Sequence, residues 1–210
     1  MKDIVQYTPV TLDPNTANPQ LTISEDLTSI GFREETQKLP DIPERFDEYT
    51  IVLGSKSFNS GTHCWDVEVG DTAGWVLGVM TESSQRKGSG FARSGVWAIG
   101  YGGGKYTAYS PSEKEIVLRV NWKPKKIRVK LDWDEREVLF CDPDDNHSLH
   151  IFTSRHSFTE PLIPLFSSPS RIVPLETYVA LEELESVDGQ QYAKSRYAGT
   201  SKRGKKYTRW

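Results

Sequence analysis

An all-β sandwich is the fold class this sequence predicts, and three observations predict it. Short runs that alternate apolar and polar residues recur along the chain with turn residues between them, the pattern of sandwich strands. Aromatic residues make up 11% of the chain, with six Trp and nine Tyr, and such side chains pack well on pleated surfaces. Residues 1–176 contain no long apolar pattern of period 3.6.

Residues 1–11 are polar, contain Pro9, and read as a linker or arriving segment. Leu12-Asp13-Pro14-Asn15 is a turn signal. Leu21-Thr22-Ile23-Ser24 alternates as a short strand does, and 28–32 supplies its hairpin partner. Residues 34–50 are charged and carry Pro40 and Pro43, as a loop does; an apolar strand restarts at 51–54. In 65–69, Trp65, Val67 and Val69 share one face while Asp66 and Glu68 share the other. The near-continuous apolar run 75–80 fits a strand covered on both faces. Residues 81–94 are polar, with Gly88, Gly90 and three basic residues, and predict a long exposed loop. Strands follow at 95–101 and 105–109, on either side of three glycines. Residues 126–133 turn Ile127, Val129, Leu131 and Trp133 inward, and Asp134-Glu135-Arg136 leads into a strand at 138–140. Strands at 149–152 and 162–166 complete the body. Beyond Pro174 the texture changes: Leu181 and Leu184 at helical spacing predict a short helix within 177–187, followed by a basic, flexible tail.

The net charge of −3 hides an asymmetry. Of 26 Lys and Arg, seven (Lys194, Arg196, Lys202, Arg203, Lys205, Lys206 and Arg209) lie in the last 17 residues, where there is no acid. Residues 1–193 therefore hold 19 cations against 29 acids, a balance of −10. Phosphate contacts need clustered Lys and Arg, so the acidic body argues against specific nucleic-acid binding. The tail reads as solvated chain, with a nuclear-import or acidic-surface patch as the sharper reading. No apolar core with a cleavage site opens the chain, and no run nears the roughly 20 apolar residues of a membrane helix. No membrane association is expected, and the expected location is the cytoplasm, with the nucleus as a second site. Cys64 and Cys141 are expected as reduced, buried thiols, with a single disulfide left as the alternative.

The candidates for chemistry are sparse. Gly100-Tyr101-Gly102-Gly103-Gly104-Lys105 resembles a phosphate loop but has Ile99 where the first glycine belongs and Tyr106 where a magnesium-binding hydroxyl belongs; a strand follows rather than a helix. A glycine-rich hairpin turn is the simpler reading. His147 and His150 have metal-ligand spacing, yet nothing completes four ligands, so no metal and no cofactor are expected. Cys64 follows His63 on a strand, which sends their side chains to opposite faces. No nucleophile elbow occurs, and Asp132 and Asp134 flank Trp133 at a strand end. No catalytic residues are expected.

Taken in order, these segments resemble the PRY–SPRY (B30.2) domain of tripartite-motif proteins and butyrophilins. Leu12-Asp13-Pro14 and 21–26 are similar to the PRY segment. Trp65-Asp66-Val67-Glu68-Val69 is similar to the family's W-E-V motif, 75–80 to its W-x-L-G-V strand and 95–100 to the next strand. Residues 131–142 resemble the L-D-Y-E block, and Phe158-Thr159-Glu160-Pro161-Leu162, with Pro164 and Phe166, the closing motif. The resemblance covers residues 8–176 and is nearest to the fish zinc-binding-protein-A33-like and nuclear-factor-seven-like members. It implies a bent, two-sheet antiparallel sandwich of the concanavalin-like jelly-roll kind, with a PRY segment at 12–61, a SPRY core at 62–176 and a tail at 177–210.

The resemblance also implies a function: a module that recognises an unidentified protein target for a tripartite-motif ubiquitin ligase, in innate immunity, through loops at one end of the sandwich. The parent protein would then be dimeric through a coiled coil that these residues lack. Carried over position by position, the binding residues are Glu82, Phe158, and Gly100 and Gly102, where relatives that bind antibody constant regions have aromatic side chains. Losing two aromatic anchors argues against antibody as the target. Tyr101, Tyr106, Arg86 and Lys87 complete the expected surface. Sensing of a phosphorylated metabolite, as in some butyrophilins, is the alternative, and a hidden hydrolase is the weakest reading.

Overall fold

The computed structural model describes residues 6–88, 95–111, 113–144, 147–154, 158–167, 170–173, 183–187 and 190–194. The chain forms two compact units, Met1–Pro174 and Leu175–Trp210. The first is a two-sheet sandwich. Numbering strands along the chain, sheet I runs edge to edge as β13 (Ser148–Thr153), β12 (Glu137–Cys141), β11 (Lys126–Asp132), β6 (Thr62–Glu68), β15 (Ser170–Val173), β4 (Ser29–Phe32) and β3 (Leu21–Ile23). Sheet II runs as β10 (Glu113–Leu118), β9 (Lys105–Ser110), β8 (Val96–Gly102), β7 (Gly74–Thr81), β14 (Leu162–Ser167), β5 (Ile51–Gly54) and β2 (Leu12–Asp13). These pairings are antiparallel. The exception to the expected all-antiparallel sandwich is β1 (Gln6–Tyr7), part of the arriving segment, which lies parallel beside His63 and Cys64 of β6.

Period-2 patterning builds the core. Ile127, Val129 and Leu131 of β11 face inward with Trp65 and Val67 of β6, and meet Trp75, Leu77, Val79 and Ile99 from sheet II in one buried cluster. The apolar run of β7 has a second use. Its alternate residues, Val76 and Met80, face a separate cluster on the outer side of sheet II, where Phe46 packs with Leu53, Ala98 and Leu165. Phe46 belongs to the 34–50 segment, which contains no strand and is held by side chains instead. The buried Arg45 donates from Nε to the Pro40 carbonyl and from Nη1 to the Pro14 and Ala17 carbonyls. Asn18 donates to the Asp47 carbonyl, and the Leu53 amide to the Thr16 hydroxyl. An irregular buried segment needs such partners, because each unpaired backbone group costs free energy.

Four sequence expectations change. Leu12 and Asp13 pair with β5 before the turn begins. Strand β10 was not expected, because adjacent Ile116 and Val117 break the alternation and a register shift separates Glu113 from Ile116. Strand β15 is too short to read, yet it bridges β6 and β4. In the second unit the expected helix is not formed over its described part. Glu183–Val187 (β16) is a strand paired with Gln190–Lys194 (β17). Two leucines three apart satisfied helical spacing, but Asp188-Gly189 is a strong tight-hairpin dipeptide and outweighs them. Residues 195–210, the basic tail, lie outside the described residues, as do His156 and 89–94 of the exposed loop.

Both cysteines are buried thiols, so the disulfide alternative is not formed. Burial pushes the Cys64 thiol up from 9.0 to about 12. The folded state thus holds this proton more tightly than the unfolded chain does. That contribution to stability is complete below pH 9 and is lost as the pH rises towards 12. We expect Cys64 to resist alkylation at mildly alkaline pH until the protein unfolds. The fall in unfolding free energy above pH 9 should be shallower in Cys64→Ala; equal slopes would show that another group controls the alkaline limb.

Candidate functional site

Along the outer face of β8 the side chains dwindle: Val96, Ala98, Gly100, Gly102. The first two lie under Phe46 and the 40–50 segment. Beyond them Gly100 is still buried, and bare backbone is reached at the exposed Gly102. A Cβ at Gly100 would stand 3.1 Å from the Trp75 carbonyl oxygen and 3.4 Å from Cε2 of Tyr109, whereas one at Gly102 would meet nothing within 4 Å. Tyr109 packs against the Phe46 cluster, and its hydroxyl accepts a 2.6 Å hydrogen bond from Thr107 Oγ1. Glu82, one step past β7, continues this outer face and is exposed.

The wall of the face is a clamp between the 40–50 segment and the loop after β7. Lys87 bonds to Asp41, and its ammonium holds that carboxyl below the usual range. Arg86 Nη1 donates to the Glu44 carbonyl at 3.2 Å, and the Gly88 amide to Asp47 Oδ1 at 2.8 Å. At the base of the same loop, Ser83 donates from its amide and its hydroxyl to the Glu160 carboxylate at 2.9 and 2.8 Å. An acidic segment thus meets a basic loop and closes one side of the bare floor.

Family models match this architecture. The PRY model, described as a SPRY-associated domain, matches residues 10–58, and the SPRY domain model matches residues 62–176. The chain belongs to the PRY–SPRY family. Over 163 residues (76% of this chain) it is 40% identical to nuclear factor 7, ovary, of Xenopus laevis, and over 159 residues (75%) it is 38% identical to butyrophilin subfamily 1 member A1 of Bos taurus. These matches cover 26% and 30% of those proteins, so the chain spans less than a third of their length. A stonustoxin structure superposes with a TM-score of 0.70 at 26% identity, covering 80% of this chain and 29% of that one. The TRIM65 PSpry domain superposes with a TM-score of 0.71 at 21% identity, covering 80% and 90%. SPRY domains are protein-interaction modules, and this PRY–SPRY domain is one by descent.

The eight candidate residues of this PRY–SPRY domain do not form one patch. Glu82, Arg86, Lys87, Gly100 and Gly102 border the outer face of sheet II, but Gly102 pairs with Gly74 at the start of β7 while Glu82 lies past its end, roughly 25 Å away at ~3.3 Å per residue. Arg86 and Lys87 are committed to the clamp rather than pointing freely at a partner. Tyr101 and Tyr106 face the other way, into the mouth between the sheets, where their rings pack at a tilt against Trp75. Phe158 is 8% exposed and lies between Trp97 and Trp133, at centroid distances of 5.1 and 5.3 Å. It closes the opposite mouth of the sandwich as a core side chain. The residues that sequence reasoning missed are Asp41, Glu44 and Asp47; their one visible signal was acidic charge matching Arg86-Lys87.

The remaining chemical candidates have structural tasks. Asp132 accepts from the Thr62 hydroxyl and the Glu135 amide, and Asp134 from the Gly61 amide, so both carboxylates tie turns. His63 stacks on Phe58, donates from Nε2 to the Ser60 carbonyl and accepts at Nδ1 from the Thr8 hydroxyl, pinning the arriving segment. His147 lies beside Trp122. Among the described residues no group of three or more His, Cys, Asp or Glu could hold a metal ion.

Proposed function

We propose that this PRY–SPRY domain selects protein targets for a tripartite-motif ubiquitin ligase through the outer face of sheet II. The carrying observation is the half-covered face itself: the 40–50 segment is clamped over one half, Val76 and Tyr109 close on the buried Gly100, and the end of the strand at Gly102 is left bare. A flat floor with exposed backbone admits a bulky apolar side chain from a partner, which the clamp and Tyr109 would flank. The PRY and SPRY matches support the recognition half of this reading, and the ligase context is the family resemblance carried to this chain. On this reading the parent chain is dimeric and works in the cytoplasm or the nucleus, in innate immune defence. Sensing of a phosphorylated metabolite gains nothing from the clamp, which occupies Arg86 and Lys87.

Gly102→Trp tests the proposal, since a side chain there meets no neighbour in the folded domain. Its thermal unfolding should match the wild type, while a protein captured from lysate by the wild type should be lost. Equal capture by both would place recognition elsewhere.

A further inference from the structure

The mouth of the sandwich at the start of β7 is a second surface with its own chemistry. Trp75, Tyr101 and Tyr106 meet there with ring centroids 4.7 to 6.3 Å apart. Trp75 is buried, but both tyrosines are only half-buried, so their rings are offered to solvent. Three loops frame them: 70–73, 103–104 and 119–125. Lys105, Arg119, Lys123 and Lys125 stand on or beside these loops, and all four are exposed. One carboxylate opposes them: Asp71 accepts from Lys123 Nζ at 2.7 Å and interacts electrostatically with Lys125. Lys123 also interacts electrostatically with Tyr101 and Tyr106. Leu118 of β10 pairs with Tyr106, so Arg119 follows at the same edge, whereas Glu113 lies at the far end of β10 opposite Ser110. On the remaining side, the patch ends at Trp122, whose ring meets His147 of the loop that carries Asp142 and Asp144.

We infer that this mouth binds a short acidic peptide segment of a partner protein, with one apolar side chain seated on Tyr101 and Tyr106. Four cations against one acid, on a body that is otherwise strongly acidic, create a local positive field that steers a small anionic segment to this end. The net −10 of residues 1–193 disfavours nucleic acid or an anionic membrane, because such extended polyanions would also confront the acidic remainder. A peptide of about ten residues touches the mouth alone. The half-buried phenol rings add the apolar anchor point that charge by itself lacks.

The test uses the 210-residue chain and a fluorescein-labelled decapeptide of Glu and Asp around a central Leu-Phe pair, read by fluorescence anisotropy at low salt. Lys123→Glu with Lys125→Glu should weaken binding at least tenfold, and Arg119→Glu, which breaks no ion pair among the described residues, should weaken it severalfold. Neutralising the tail (Lys202→Gln, Arg203→Gln, Lys205→Gln, Lys206→Gln) should change it less than threefold. Unchanged affinity in the charge-reversed variants, loss confined to the tail variant, or no binding of the peptide overturns the inference. So does tighter, Lys123-dependent binding of a single-stranded RNA or of phosphatidylserine vesicles. Target capture by the outer face is measured with the same Lys123/Lys125 variant and should persist, so the two readings fail separately.

Discussion

Gly78→Ala is expected to destabilise the domain by about 3 kcal/mol or more, lowering the midpoint of thermal unfolding by roughly 6–12 °C. An added Cβ would stand 2.1 Å from the Trp97 carbonyl oxygen and 2.6 Å from Cα of Ala98. Both are backbone atoms of β8, so no side chain can rotate away; the paired strands β7 and β8 must separate. These two strands sit at the centre of sheet II and carry Leu77, Val79 and Ile99 into the core, so the disturbance reaches the sandwich interior. Gly102→Ala is the matched control, because its Cβ meets open space and should shift stability by less than about 0.5 kcal/mol. Urea unfolding of the two variants checks this. A Gly78→Ala protein as stable as the control would mean that the strands have room the geometry denies them.

Arg128→Met should cost about 3–5 kcal/mol, the usual penalty for leaving one partner of a buried ion pair alone. Arg128 of β11 donates from Nε and Nη2 to the two Asp66 carboxylate oxygens of β6 at 2.7 and 2.8 Å. The side chains are 18% and 10% exposed, so little water replaces the lost bonds. Hydrogen bonding to Asp66 raises the guanidinium pKa, which keeps Arg128 charged. Tyr7 of β1 lies over the same guanidinium at 5.3 Å, so the variant should also loosen the arriving segment. The double variant Arg128→Met, Asp66→Val removes both charges and should recover most of the loss. A double variant no more stable than Arg128→Met alone would show that the cost lies in packing rather than in an uncompensated carboxylate.

Much of the architecture was legible because strands write their period into the sequence. The alternation of 126–133 predicted β11 and its buried face, and the unbroken run 75–80 predicted a strand covered twice. The misses share a cause: β10, β15 and the 183–187 strand are short or lack alternation, so pairing partners decide them. The candidate site was less legible than the fold. Adjacent residues on a strand face opposite ways, and that rule alone separates Tyr101 from Gly100 and Gly102. Applied to Phe158, sequence could not choose between surface and core; two indoles, Trp97 on β8 and Trp133 in the turn after β11, chose the core.

The amino-acid sequence by itself determined the all-β class, the inward faces of the central strands, the family, and the charge imbalance between body and tail. Local pattern suffices for these, since period and composition are carried by neighbours in the chain. The tertiary structure alone decided that Arg86 and Lys87 are consumed by Asp41 and the Glu44 carbonyl, and that Tyr101 and Tyr106 gather on Trp75 at a separate mouth. Those contacts join residues some 20 to 50 positions apart. A charged side chain's availability depends on what the fold brings beside it, and no periodicity records that.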